Sequence, residues 1–248
     1  MPRISPEMEI EMENPRIVSR AEWLEARKQL LAEEKKLSRE RDRLNAARRR
    51  LPVVKLEKEY LLEGPSGKTT LRDLFGPHPQ LVVYHFMFDP GWDEGCKNCS
   101  HLLDNAAGAA AHLAARNTAF AVVSRAPFGK IEGFRARMGW DLPWVSSFGT
   151  DFNYDFHDTL DRARGSIEYN FAPAAELVKA RKLWTESGDL PGLSVFLRDG
   201  DALYHTYSTY QRGLDLLLNT YNLLDLTPLG RQEEGGRAQG WVRHHDRY

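Results

Sequence analysis

The sequence predicts an α/β fold: a three-layer sandwich with a mixed central sheet, helices on both faces and a long N-terminal helix. Two runs, residues 81–88 and 118–124, are as continuously apolar as strands that a sheet buries on both faces. The Ala- and Leu-rich stretch between them predicts a helix, and a strand–helix–strand unit pairs its strands in parallel. Far downstream, residues 193–207 have the pattern of a hairpin that turns at Asp199 and Gly200.

The N-terminal region predicts one long helix. Ser19 and Glu22 form a capping-box pattern, and no Gly or Pro interrupts the chain from there until Pro52. Along this stretch a large apolar residue recurs at every seventh position: Trp23, Leu30, Leu37, Leu44 and Leu51. The companion heptad position is only half apolar, whereas a coiled coil needs both. Two interpretations stay open, a solvated helix with a narrow apolar stripe and a helix contact between two copies of the chain.

Composition divides the chain into three parts. Residues 1–52 contain an extended arm and the charged helix, residues 53–228 the α/β domain, and residues 229–248 a Gly- and Arg-rich tail that is predicted to be flexible.

The charges of the 34 basic and 35 acidic residues nearly cancel, which predicts neither nucleic-acid nor anionic-membrane partners. No apolar run is long enough for a membrane span, and the N-terminus has no secretory pattern, so we expect a cytoplasmic location.

The two cysteines of the chain, Cys96 and Cys99, stand three positions apart where the first strand of the unit gives way to its helix. A disulfide that closes so short a loop would stabilise little, and cytoplasmic thiols are kept reduced. A Cys-x-x-C pair in this context is typical of redox sites, because the free N–H groups and dipole of a helix N-terminus stabilise a thiolate. We predict that Cys96 attacks a substrate disulfide and that Cys99, one turn later, resolves the mixed disulfide.

Four neighbours complete the predicted site. The ammonium group of Lys97 favours a thiolate nearby, whereas Asp93 and Glu94 oppose it or serve in proton transfer. Trp92 lies on the loop that has to pass the cysteines, and we expect it to line a substrate groove.

Metal and cofactor binding are weaker interpretations of the cysteine pair, as is an inert buried pair. A structural zinc site needs four ligands, usually two close pairs, and the chain has no second Cys pair. Haem attachment needs a His directly after the second cysteine, where Ser100 stands. Residues 64–69 lack the first glycine of a phosphate-binding loop and precede the strongest strand instead of following one. The sequence therefore predicts neither a bound metal nor a cofactor.

Longer runs of the sequence resemble known thioredoxin-like proteins. Over about residues 15–230, the chain resembles an uncharacterised thioredoxin-like family of predicted dithiol-disulfide oxidoreductases. The runs that carry this resemblance are DPGWDEGCKNCS, DLPWVSSFGTDFNYDF and HTYSTYQRG. The peroxiredoxin and alkyl hydroperoxide reductase branch is more loosely similar in LVVYHFMF, PGWDEGC and LSVFLRDGD. The resemblance implies a thioredoxin-like fold and an oxidoreductase that acts on a protein or small-molecule disulfide, with an unidentified reductant.

The chain also differs from the peroxiredoxin pattern at two positions near the predicted site. Asp93 stands where that family has Thr in its peroxidatic loop, and residues 190–192 stand where it has its catalytic arginine. Because of these two differences, peroxidase activity is the alternative function and dithiol–disulfide exchange the first. Thioredoxins instead place a cis-proline opposite the cysteines, which implies Pro191 by its offset from Gly200, with Pro143 as the second choice. An alternative of another class is a non-catalytic scaffold that dimerises through the N-terminal helix.

Overall fold

A computed structural model describes residues 16–233 and 238–248, and the chain divides into two units between Leu51 and Pro52. Residues 1–15 of the predicted N-terminal arm therefore lie outside the described residues. The first unit contains helix α1 (Arg20–Arg48), which begins at the predicted capping box: Ser19 Oγ accepts the Glu22 N–H, and the Glu22 carboxylate accepts the Ser19 N–H. No residue of α1 is buried.

The second unit is built around a mixed eight-stranded sheet. Its strands and those of two small ribbons are β1 (Val54–Lys55), β2 (Leu61–Gly64), β3 (Gly67–Thr70), β4 (Gln80–His85), β5 (Thr118–Ser124), β6 (Trp144–Ser146), β7 (Thr159–Leu160), β8 (Glu168–Tyr169), β9 (Ala172–Pro173), β10 (Gly188–Asp189), β11 (Gly192–Asp199) and β12 (Ala202–Tyr210). The α-helices of this unit are α2 (Lys97–Ala106), α3 (Ala110–Ala114), α4 (Phe128–Arg137), α5 (Phe152–Asp155), α6 (Ala174–Lys179) and α7 (Asn219–Leu224), and a 3₁₀ segment spans Gln211–Leu217.

The sheet order, β1-β12-β11-β4-β5-β6-β2-β3, confirms the predicted fold class. Strands β4 and β5 are parallel and joined through α2, while β11 runs antiparallel to both β4 and β12. A parallel strand–helix–strand unit beside an antiparallel hairpin, in this order, is the core of the thioredoxin-like fold. One apolar cluster packs α2 and α4 on one face of the sheet, and a second cluster with α5 covers the other.

The chain after residue 228 differs from the predicted flexible tail. Among its described residues, Val242 and His244 are buried, and His244 Nε2 lies 2.9 Å from the carbonyl oxygen of Gly95. The His244 ring also packs edge-on against Phe134 of α4. A Gly-rich composition predicts mobility, but these contacts to residues far along the chain hold the segment on the domain.

Of the helices that the structure describes, none combines the length and apolarity that a membrane crossing needs.

Candidate active site

The cysteine pair occupies the first turn of α2. Cys96 is the N-cap residue, and its N–H donates to the carbonyl of Met87 at 3.0 Å, which ties the approaching loop to the end of β4. Cys99 lies one turn into the helix and is only 2% exposed, whereas Cys96 is partly exposed. Both are free thiols. The predicted strand–loop–helix context of the pair is therefore the observed one.

The two thiols differ in acidity. A hydrogen bond from the Cys99 thiol lowers the pKa of Cys96 to about 7, the N–H groups of Cys99 and Asn98 and the charge of Lys97 act in the same direction, and burial opposes them. Burial raises the pKa of Cys99 well above its ordinary value, and the hydrogen bond with Cys96 adds to this effect. The negative charge that forms near neutral pH is therefore carried by the more accessible sulfur, and the buried sulfur keeps its proton.

We expect alkylation of Cys96 by iodoacetamide to follow a titration curve centred near pH 7, because the thiolate is the reactive form. The rate rises as the pH increases through this value and then levels off, while Cys99 stays protonated and unreactive. The measurement is the rate of label incorporation at each residue by mass spectrometry. Cys99→Ala removes the hydrogen-bond donor and should move the curve to higher pH. A wild-type curve centred at the ordinary thiol pKa of about 8.5 would contradict the assignment.

The loop before the cysteines carries the predicted neighbours in different environments. Asp93 and Lys97 are exposed, and Lys97 Nζ reaches the carbonyl of Gly240 at 3.4 Å. The Trp92 side chain is 41% exposed, and its carbonyl accepts a hydrogen bond from Lys130 Nζ at 2.9 Å. The backbone of Trp92 thus anchors the loop, while the side chains of Trp92 and Asp93 face outward.

The Glu94 carboxylate forms ion pairs with two arginine side chains. Its carboxylate lies 2.8 Å from Arg137 Nη1 and 2.6 Å from Arg247 Nη2, and the hydrogen bonds from these two guanidinium groups lower its pKa. A carboxylate held ionised in this way is a poor proton donor, and its charge is balanced locally. The structure therefore favours an anchoring role for Glu94, between the cysteine loop and the C-terminal segment, over the predicted proton transfer.

Pro191 stands immediately before β11 and lines the same cavity as Cys99, as the offset from the hairpin predicts. Because no peptide bond among the described residues is cis, the expectation of a cis-proline is wrong for Pro191. Its carbonyl accepts a hydrogen bond from the buried Tyr169 hydroxyl at 2.7 Å, which fixes the backbone at this point. Pro143, the second choice, instead accepts from the N–H of Val122 and extends the pairing of β5 with β6.

A cavity of about 500 Å³ opens beside Cys99. Its wall is mostly apolar, with side chains from the segment after β4, from α2, from the 3₁₀ segment and from the turn before α7: Met87, Leu102, Leu214 and Leu218. Polar groups of Tyr84, Asn98 and Gln211 interrupt this wall. The volume and the mixed lining are typical of sites that bind small molecules. Trp92 is not among the described residues that line the cavity.

Arg125 joins the two loops that flank the cysteines. Its guanidinium lies 2.5 Å from Asp89, at the start of the cysteine loop, and 2.5 Å from Asp189, just before Leu190 and Pro191. A third bond, at 3.2 Å, reaches the Tyr154 hydroxyl. The sequence carries no signal for this bridge, because its partners lie 36 and 64 positions from Arg125.

On the other face of β4, a chain of buried polar groups stabilises the sheet. Asp158 Oδ2 lies 3.1 Å from His85 Nδ1, and His85 Nε2 lies 2.9 Å from Ser194 Oγ, which in turn contacts Ser208 Oγ at 2.8 Å. Burial raises the pKa of Asp158 and lowers the pKa of His85. Both side chains are therefore neutral at physiological pH, which avoids the cost of two buried charges. Within the described ranges, no group of three or more His, Cys, Asp and Glu side chains could hold a metal ion.

The strand order and the cysteine pair at the start of α2 define a thioredoxin-like protein. The chain belongs to a family described as bacterial protein of unknown function (DUF899), whose model matches residues 12–248. No curated protein matches the chain.

Several solved structures are similar to the chain. A mutant of PrxQ from Xylella fastidiosa has a TM-score of 0.43 and 13% identity, over 70% of this chain and 96% of that chain. A mutant of peroxiredoxin Q from Xanthomonas campestris has a TM-score of 0.40 and 18% identity, over 66% and 90% of the two chains. A secreted Mycobacterium tuberculosis disulfide oxidoreductase has a TM-score of 0.32 and 12% identity, over 64% and 92%.

Proposed function

We propose that this protein is a thiol–disulfide oxidoreductase that uses Cys96 as the nucleophile and Cys99 as the resolving thiol. One observation carries the proposal: the two free thiols stand one turn apart at the start of a helix, one partly exposed and the other buried. The neighbouring thiol lowers the pKa of Cys96, and burial raises the pKa of Cys99. A site built in this way has a reactive thiolate near neutral pH and, beside it, a protonated thiol that can resolve the mixed disulfide.

In the proposed reaction, the Cys96 thiolate attacks one sulfur of a substrate disulfide and forms a mixed disulfide. The other substrate sulfur leaves with the electron pair and takes a proton from water. Cys99 then attacks the sulfur of Cys96 and releases its proton to solvent, and the second substrate sulfur leaves with the electron pair. The pair ends as a Cys96–Cys99 disulfide, which an external dithiol returns to the reduced form by supplying two electrons and two protons.

Turnover assays with two kinds of substrate test this function. With dithiothreitol as the reductant, we expect the wild type to reduce insulin and small aromatic disulfides well above the uncatalysed rate, and to consume hydrogen peroxide no faster than the control without enzyme. The exposed carboxylate of Asp93, in the place where peroxidases of the resembled family have Thr, supports this preference. Rapid peroxide consumption with no disulfide turnover would establish the peroxidase instead.

A row of exposed apolar side chains on α1 favours a second role, association between two copies of the chain. The row recurs at seven-residue intervals, and its members are substantially exposed: Trp23 (45%), Leu30 (55%), Leu37 (72%) and Leu44 (47%). A helix with such a row and no buried residue gains stability when a second helix covers the row.

We expect the full-length protein to sediment as a dimer, and the double variant Leu30→Glu, Leu37→Glu to sediment as a monomer, because two carboxylates in the row oppose helix packing. Sedimentation equilibrium measures the mass. The matched control, Lys35→Glu with Arg39→Glu, introduces the same groups at exposed polar positions of α1 and should leave the dimer intact. A wild type that is monomeric at every concentration would exclude this role and leave the redox proposal untouched.

A further inference from the structure

We propose that Tyr84 is a third catalytic residue of the pair, and that its hydroxyl donates a hydrogen bond to the sulfur of Cys99 as that sulfur attacks the mixed disulfide. The inference rests on the proposed dithiol function and assigns a role to a residue that lies 12 positions before Cys96.

Three observations place Tyr84 at the resolving thiol. Its side chain is 1% exposed and belongs to the same apolar cluster as Cys99. Both residues line the cavity beside the pair, and the Tyr84 hydroxyl lowers the pKa of the Cys99 thiol as a hydrogen-bond donor does. On β4, Tyr84 stands opposite Leu193 of β11 and Val122 of β5, so that two neighbouring strands fix its backbone.

Three groups, the Tyr84 hydroxyl, the Cys99 thiol and the Cys96 thiol, thus influence one another in order: Tyr84 lowers the pKa of Cys99, and Cys99 lowers the pKa of Cys96. Such a chain suits the second step of the reaction, because Cys99 has to become a thiolate in an apolar environment that disfavours the charge. A hydrogen bond to a charged acceptor is stronger than one between neutral groups, so Tyr84 stabilises the attacking form of Cys99 most. Burial keeps the pKa of Tyr84 well above its ordinary value, so the phenol stays a donor throughout.

In this step the bond between the sulfurs of Cys99 and Cys96 forms while the bond between Cys96 and the substrate breaks. Cys99 releases its proton to solvent as it attacks, and the substrate sulfur leaves with the electron pair, as a free thiolate when it is aromatic. Tyr84 keeps its own proton and is not consumed. Its hydrogen bond to Cys99 weakens when the disulfide forms, because a disulfide sulfur is a poorer acceptor than a thiolate.

The test uses a chromogenic aromatic disulfide, 5,5′-dithiobis(2-nitrobenzoate), which releases one coloured thiolate when Cys96 attacks and a second when Cys99 resolves. In Tyr84→Phe we expect the first release at the wild-type rate and the second slowed about tenfold, since loss of a hydrogen bond to a charged group has roughly this effect. Tyr210→Phe is the matched control: Tyr210 is equally buried, but its hydroxyl donates to the carbonyl of Phe156 at 2.8 Å.

The reduction potential of the pair gives an independent readout. Tyr84 stabilises the reduced form, so Tyr84→Phe should make the potential more negative, by about 30 mV for a tenfold change in the equilibrium constant. A merely structural role for the hydroxyl would not move this potential. Replacement of Tyr84 by 3-fluorotyrosine preserves the shape and strengthens the donor, and should accelerate the second release, which keeps the test valid if Tyr84→Phe folds poorly.

Tyr84 has no catalytic role if the second release and the potential match the wild type in both variants, or if Tyr210→Phe changes them as much. These outcomes differ from failure of the proposed function, in which the wild type itself would show no second release of the coloured thiolate.

Discussion

Cys96→Ser is expected to lower disulfide turnover by roughly a thousandfold or more, because the substitution removes the nucleophile of the first step. Cys99→Ser keeps that nucleophile and removes the resolving thiol. The reaction should then stop at the mixed disulfide, and the substrate should stay covalently attached to Cys96. Both results follow from the division of roles in which Cys96 carries the thiolate and Cys99 the proton.

Two measurements check this expectation. Insulin or chromogenic disulfide turnover gives the loss of rate, and mass spectrometry of the intact protein detects the substrate adduct on Cys99→Ser, which a reducing agent should reverse. The two variants control for each other, since each replaces one sulfur by oxygen in the same helical turn. Retained turnover in Cys96→Ser, or an adduct that forms on Cys99 in that variant, would contradict the assignment of the nucleophile.

Gly192→Ala is expected to lower the free energy of unfolding by about 3 kcal/mol, as overpacking of a closed site does. A Cβ atom at this position would overlap the carboxylate of Asp158 and come within 2.9 Å of Tyr210 Cδ1. Neither neighbour can retreat, because Asp158 is fully buried against His85 and Tyr210 is held by its bond to Phe156. The resulting shift of β11 should also displace the adjoining Pro191 and slow disulfide turnover.

Urea unfolding followed by circular dichroism measures this effect. The control is Gly129→Ala in α4, where a Cβ atom meets nothing within 4 Å. Alanine is the better helix former, so this variant should be more stable than the wild type by about 0.5–1 kcal/mol. If Gly192→Ala were as stable as the wild type, the packing of Asp158 under β11 would have to be different.

Some local predictions were wrong at their ends. The apolar run of residues 81–88 predicts a single strand, but β4 ends at His85, and the next three residues bury their side chains outside the sheet. Apolar residues that recur on one helical face also predict one final helix over about residues 210–224. The structure instead has a 3₁₀ segment and α7, separated by Leu218 in a non-helical conformation. Periodicity reports which residues are buried, but backbone hydrogen bonds to distant segments decide where each element stops.

The sequence by itself determined the fold class, the turn at Gly200, the capping box of α1 and the position of Cys96 and Cys99 at the start of a helix. The turn, the capping box and the helix start depend on patterns within a few residues, and the fold class follows from the order of such local elements along the chain. The offset from the hairpin also placed Pro191 directly before β11, because the length of a strand relates the two positions.

The tertiary structure alone decided how the site is completed. It placed Tyr84 beside Cys99 in one cavity, bridged Asp89 and Asp189 through Arg125, and paired Glu94 with Arg247. From sequence, a tyrosine in an apolar strand is predicted to be a core residue, and an acidic residue on a loop is predicted to be solvent-exposed. Only the folded chain shows which side chain each of them contacts. Polar groups are paired on folding because an unpaired buried group is costly, and the partner is whichever side chain the topology brings within reach.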